Sequence, residues 1–167
     1  KYFIDDYSSV SIPNYITLRN QQGKLVRVLE ANEDLKNKMA EFGFGTKEFI
    51  TFTTSEGVQL NGWILKPKNF DPAKKYPVLM NVYGGPGSQE VTDAYDYNQI
   101  WYQVLMQKGY LVACVDGRGT GARGAEFRKS TYRDLGKLEC IDQIEAAKYL
   151  GGLPYIDKAR IGIWGWS

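Results

Sequence analysis

Apolar and polar residues alternate through the first thirty positions. Asn14-Tyr-Ile-Thr-Leu-Arg19 and Leu25-Val-Arg-Val-Leu29 carry the period-two pattern of half-buried strands, and the aromatic-rich Tyr2–Tyr7 predicts another. Asn20-Gln-Gln-Gly23 predicts a hairpin turn between the last two, with Gly23 supplying a positive φ. Three strands bury too little to stand alone, so they are expected to belong to a larger β structure. The period then lengthens. Asn32–Glu41 predicts a helix with Asn32 as N-cap, Glu33 and Asp34 at its positive end, and Phe42-Gly-Phe-Gly45 as its stop. A domain boundary is placed near Gly45.

Beyond residue 45 strands and helices are expected to alternate. Glu48–Thr53 and Gln59–Leu65 flank the turn Ser55-Glu-Gly57, and Pro67–Pro72 reads as a loop. Pro77–Tyr83 and Tyr110–Val115 are nearly continuous apolar runs, the mark of strands buried on both faces. Asp93–Lys108 predicts a helix with Tyr97, Trp101, Val104 and Leu105 on its inner face. Arg133–Leu150 predicts a second, with Leu138, Ile141, Ile144 and Ala147 inward, and Arg160–Trp164 a last strand. The order β-β-β-α-β-α-β predicts an α/β sheet whose later strands are parallel.

Composition narrows the function. The chain has 167 residues, 43% of them hydrophobic, with 21 Lys and Arg against 19 Asp and Glu. That balance is globular and lacks the basic excess of a nucleic-acid binder. No segment reaches the roughly 20 apolar residues of a membrane span. Lys1–Asp6 turns acidic too early for a signal peptide, and no initiator Met is present, so the chain reads as an excised or processed piece whose compartment is not legible. Cys114 and Cys140 are too few for a disulfide scaffold and are expected to be buried thiols. There is no histidine. This excludes imidazole metal ligands and any Ser-His or Cys-His pair within these residues.

Three motifs carry candidate chemistry. Gly165-Trp-Ser167 follows a buried strand, as the first half of a Gly-x-Ser-x-Gly nucleophile elbow does; a strand end followed by a loop serine is the plainer reading. Tyr83-Gly-Gly-Pro-Gly87 follows the first buried strand, where a glycine-rich loop brings oxyanion donors close to substrate and a tyrosine hydroxyl can donate as well; a tight turn with a packing tyrosine is the alternative. Gly119-Thr-Gly-Ala-Arg-Gly124 matches a dinucleotide-binding fingerprint, but it follows a late strand and Ala125–Thr131 lacks a helical stripe. It is expected to be a structured loop, with Asp116 near Arg118 or Arg123. Glu139, Asp142 and Glu145 share a helix side, which predicts an exposed or salt-bridged face rather than a metal site.

Taken together, Tyr76-Pro-Val-Leu-Met-Asn-Val-Tyr-Gly-Gly-Pro-Gly-Ser-Gln89, Asp116-Gly-Arg-Gly119, Asp142-Gln-Ile-Glu-Ala-Ala147 and Arg160-Ile-Gly-Ile-Trp-Gly-Trp-Ser167 resemble the prolyl oligopeptidase family of serine peptidases, within it the dipeptidyl peptidase IV branch. Lys24–Asn32 resembles that family's exit from a β-propeller. The resemblance implies that 1–45 is the end of a β-propeller with a connecting helix, and that 46–167 is the N-terminal half of an α/β-hydrolase sheet, ending at the nucleophile. It implies release of Xaa-Pro or Xaa-Ala dipeptides through an acyl-enzyme. Ser167 matches the nucleophile, Tyr83 the oxyanion tyrosine, and Trp166 the residue shaping the elbow beside substrate. The triad Asp and His, the proline pocket and the acids holding the substrate's amino terminus would lie elsewhere in the parent. No metal or cofactor is implied. A homodimer and a periplasmic, membrane-anchored or secreted location are suggested. An acylaminoacyl peptidase or carboxylesterase of the same fold, or a non-catalytic structural fragment, are the other readings, and the isolated chain is expected to be inactive.

Overall fold

Six consecutive residues, Leu111–Asp116, have no exposed member, and the larger sheet is built around them. The computed structural model describes residues 1–96 and 98–166. In chain order its elements are β1 (Tyr2–Ser9), β2 (Ile12–Asn20), β3 (Leu25–Glu30), α1 (Glu33–Phe42), β4 (Thr46–Thr53), β5 (Gln59–Lys66), β6 (Tyr76–Asn81), α2 (Gln99–Gln107), β7 (Leu111–Asp116), α3 (Gly124–Lys129), α4 (Leu138–Gly152) and β8 (Ile156–Trp164). Strands β1–β2–β3 form an antiparallel sheet. The second sheet has the order β4-β5-β7-β6-β8, antiparallel through β4, β5 and β7, and parallel across β7, β6 and β8. The fold is thus mixed α/β.

Alternation along β7 divides the core. Leu111, Ala113 and Val115 join Leu60, Ile64, Val78 and Met80 beneath Ala146 and Leu150 of α4. Val112 and Cys114 face the other way, with Trp63 and Leu65, against Tyr102 and Met106 of α2. A strand covered by a helix on each side needs apolar residues at every position, so its sequence reads as a run and not as an alternation.

Both turns expected of glycine are present: Gly23 and Gly57 take φ of 80° and 79°. Four expectations need correction. The helix α2 starts at Gln99 rather than Asp93, because Asp93–Asp96 is drawn into a loop that accepts the Val10 N–H on Asp93 Oδ1 (2.9 Å). Its buried face is Gln99, Tyr102, Gln103 and Met106, leaving Trp101 and Val104 exposed; Tyr97 lies outside the described residues. Helix α4 begins at Leu138, not Arg133, and turns Asp142, Ala146 and Leu150 inward while Ile144 is exposed. Asn32 stands before α1 but takes a left-handed conformation and makes no side-chain cap; its amide donates to the Asn14 carbonyl instead. Cys140 is exposed, and only Cys114 of the two thiols is buried.

The rotation of α4 has an electrostatic cause. Asp142 is fully buried and accepts from the Arg118 backbone N–H (2.6 Å) and from Arg118 Nη2 (2.8 Å). Arg118 reaches Glu56 as well, at 2.8 Å. Satisfying a buried carboxylate outweighs burying one more apolar stripe, since an unpaired buried charge costs several kcal/mol. We predict that Asp142→Ala destabilises the protein by roughly 3–5 kcal/mol, because Arg118 loses its buried partner. Lys74→Ala, which removes a solvent-facing pair with Asp71, should leave the unfolding midpoint unchanged. Urea unfolding of both variants checks the contrast.

Candidate active site

Of the three parallel strands, β6 and β8 end level with each other, and β7 runs two residues further, paired with β5. Asn81 of β6 lies opposite Cys114 of β7 on one side and Trp164 of β8 on the other. The segments that follow therefore leave the sheet at one edge: Val82–Val91 after β6, Gly117–Gly121 after β7, and Gly165-Trp166 after β8. Carboxyl ends of parallel strands are where such sheets collect their ligands.

Backbone hydrogen bonds lock these segments to one another. The Val82 N–H donates to the Trp164 carbonyl at 2.9 Å, which extends the β6–β8 ladder one step past β6 and sets Tyr83 beside Gly165. A Cβ at Gly165 would fall 2.6 Å from the Val82 carbonyl oxygen, so only glycine fits the approach. Gly87 N–H donates to Gly119 O (2.9 Å), and Gly121 N–H to Ser88 O (2.6 Å). Within the first loop both the N–H and the hydroxyl of Ser88 donate to Gly85 O. The Gly119–Gly124 run is the structured loop its composition predicts, although the short helix α3 does start at Gly124.

Tyr83 is half-exposed, at 52%. A Cβ at Gly85 would come 2.7 Å from its Cε1, so the missing side chain is what lets the ring lie against the loop. The ring borders a cavity of about 490 Å³, whose walls include Glu90, Trp101, Tyr102, Trp164 and Trp166. The indoles are in contact: Trp101 to Trp164 at 5.6 Å between centroids, Trp164 to Trp166 at 6.3 Å and nearly parallel. Trp166 is 79% exposed. Ser167 lies outside the described residues.

The floor of this edge is acidic. Asp116 is buried, and its carboxylate accepts the Glu90 N–H on both oxygens (3.1 Å each) and the Val91 N–H on Oδ2 (2.9 Å). It is not near-paired with Arg118 or Arg123 as expected. Arg118 serves Asp142 and Glu56, and Arg123 donates to the Gln59 carbonyl. Burial pushes the Asp116 carboxyl above its ordinary range despite these backbone donors, which pull the other way. Burial also raises Glu90, with Asp116 and Asp96 adding to the shift and Lys47 opposing it. Lys47 is pushed down by burial, against the pull of Asp96, Asp93 and Glu90, and its ammonium sits 4.8 Å over the Trp63 ring. The acids of α4 have structural roles. Glu139 accepts from Gly136 N–H, and Glu145 is held down to about 2 by Lys148 and by the Ser55 N–H.

Tyr83 and Trp166, singled out in the sequence, are thus brought to one cavity. The cavity's other aromatic walls and the Asp116 anchor escaped sequence reading. Trp101 and Trp164 look like core residues at strand and helix spacing, and only the loop geometry reveals what Asp116 holds.

Comparison with known proteins agrees with this arrangement. Residues 96–167 match the model of the prolyl oligopeptidase family. A probable dipeptidyl-aminopeptidase B of Trichophyton verrucosum is 41% identical over 99% of this chain, which covers 18% of that protein. A probable dipeptidyl peptidase 4 of Emericella nidulans is 38% identical, again over 99% of this chain and 22% of the relative. Among solved structures, Porphyromonas gingivalis dipeptidyl peptidase 4 superposes with a TM-score of 0.93 at 50% identity, over 99% of this chain and 23% of its own. A putative dipeptidyl aminopeptidase IV from Bacteroides ovatus gives 0.87 at 38% identity, over 99% and 23%. The chain spans about a fifth of the length of such relatives, and its likeness to the prolyl oligopeptidase family rests on residues 96–167 and on these relatives.

Proposed function

We propose that the protein carrying this segment is a serine dipeptidyl peptidase that releases Xaa-Pro or Xaa-Ala from peptide amino termini. In this reading 1–45 closes a β-propeller, and 46–167 is the first half of an α/β-hydrolase domain. Ser167 is the nucleophile. The Tyr83 hydroxyl donates to the oxyanion of the tetrahedral intermediate, with a backbone N–H beyond Ser167 as its companion. Trp166 borders the bound peptide. The general base is a histidine oriented by an aspartate, both supplied from outside these residues, which contain no histidine.

One observation carries the reading. The Val82–Trp164 hydrogen bond lays the glycine-rich loop alongside the Gly-x-Ser segment, although eighty residues of chain separate the motifs. A tight turn with a packing tyrosine would not need a half-exposed ring bordering an open cavity. The names of the relatives support dipeptide release over the other activities of this fold.

The mechanism follows from charge placement. Attack by the serine oxygen on the scissile carbonyl moves negative charge onto the carbonyl oxygen. A phenol held by a rigid loop gains a stronger hydrogen bond as that charge develops, so its contribution falls on the transition state more than on the ground state. The base takes the serine proton, returns it to the leaving amine, and water then releases the dipeptide.

In the full-length protein, Tyr83→Phe should lower kcat/KM on a Gly-Pro chromogenic amide by about 10²–10³-fold, as loss of one oxyanion donor does; an unchanged rate removes Tyr83 from the mechanism. Gly85→Ala should also depress the rate, on the order of tenfold to hundredfold, by displacing the ring, while shifting the thermal midpoint little because the clash is with a movable side chain. The isolated 167-residue chain should show no turnover of the same substrate. Turnover that disappears in Ser167→Ala would contradict the assignment of the base to another part of the protein.

A further inference from the structure

The geometry points to Asp116 as a positioning residue for Tyr83, one that holds the far end of the oxyanion loop so that the near end presents its phenol in a fixed place. The inference rests on the reading of Tyr83 as an oxyanion donor.

The loop that carries Tyr83 is anchored at both ends. At its start, Val82 is bonded to Trp164, one step beyond β6. At its end, the Glu90 and Val91 N–H groups converge on the Asp116 carboxylate at 2.9–3.1 Å, and Glu90 borders the same cavity as Tyr83. Between the anchors the loop is tied to 119–121 by two backbone bonds and to itself through Ser88. Asp116 is the last residue of β7, the most buried strand of the sheet. Its own backbone is paired with Asn61 of β5, so the carboxylate projects from a rigid support. A rigid element holding a catalytic donor through a second residue is how such sites reach the needed precision.

The residue type matters as much as its place. Two carboxylate oxygens receive N–H donors from two successive peptides, and the site is 6% exposed. An asparagine of the same shape keeps one acceptor oxygen and turns an NH₂ group toward an N–H. Both N–H groups must then share one neutral oxygen, with an NH₂ crowding the Glu90 N–H that the carboxylate bridges, and the loop end shifts to relieve it. Among the described residues no Lys or Arg pairs with the carboxylate, so the amides are what hold it. The Trp63 indole N–H donates to the Glu90 carbonyl at 3.2 Å, which leaves the opposite side of that peptide pinned when Asp116 lets go. The expected disturbance is therefore a local displacement of the loop and not an unfolding of it.

The test is a double-mutant cycle in the full-length enzyme on the Gly-Pro amide. Asp116→Asn should lower kcat by about 10–100-fold with KM within about twofold, because a misplaced donor costs the transition state and not the ground state. On a Tyr83→Phe background the same substitution should cost less than about twofold, since there is no hydroxyl left to misplace. A full, additive loss on that background overturns the inference, as does a wild-type rate in Asp116→Asn. Should Tyr83→Phe itself be as active as wild type, the oxyanion reading has failed, and that result is distinct from the first two. If Asp116→Asn does not fold, Val91→Pro removes one donor from the other side of the same contact and enters the same cycle. If neither folds, Asp116 is a residue of the fold and the positioning role is rejected.

Discussion

The register of three parallel strands is the constraint on which the candidate site depends. Because Asn81 sits opposite both Cys114 and Trp164, the chain leaves β6 and β8 at one level and β7 two residues beyond it, all at the same edge of the sheet. A slip of one residue in any of these pairings would turn every side chain of that strand to the opposite face and move its exit loop along the sheet. The register is protected by burial. Every residue of β7 is inside, with α2 on one face and α4 on the other, so a slip would exchange Trp63-facing residues for Leu150-facing ones. The large side chains make that exchange costly, and the site inherits its precision from the core.

Two buried aspartates extend that precision into the loops. Asp116 gathers the N–H groups of Glu90 and Val91, and Asp142 gathers the Arg118 N–H together with its guanidinium. Each carboxylate stands on a regular element and holds an irregular one. Loops rich in glycine lack the side-chain contacts that would fix them, and their backbone donors must find partners once water is excluded. A carboxylate accepts several such donors at once, which a neutral side chain of similar size does not. Asp142 also explains the facing of α4. Without it the apolar stripe through Ile144 would be the better side to bury.

How much of this was legible in the sequence follows from where each signal resides. The hairpins at Gly23 and Gly57, the buried runs through Val78 and Val112, and the alternating order of strand and helix are local patterns and read directly. Trp101 and Val104 were assigned inward on α2 by periodicity alone. Helix α2 turns Tyr102 and Met106 inward instead, one position around, because those side chains pack with Trp63 on that face of the sheet. Tyr83 and Trp166 stand out in the sequence because motif and strand order coincide, and both border one cavity. For Asp116, sequence proximity points to Arg118 and Arg123, whereas its partners are peptide N–H groups some twenty-five residues away. Backbone donors leave no mark in a sequence.

The missing histidine divides the chemistry of the site. Serine needs a base, and the described residues offer none in the right place. Lys47 is the lysine that burial makes less basic, yet its ammonium lies over Trp63 and borders a different cavity from Tyr83. Glu90 borders the Tyr83 cavity and burial raises its carboxyl, but no hydrogen bond among the described residues directs that carboxyl at a nucleophile. On the proposed reading, what this segment holds is the Tyr83 donor, carried by a loop whose backbone contacts need no reorganisation during the reaction. Electrostatic stabilisation and proton transfer are separable contributions in acyl transfer, and a site stripped of its base keeps the first. On the proposed reading, the segment supplies the part of the catalytic machinery whose geometry is fixed by the sheet, and the proton carrier comes from another part of the protein.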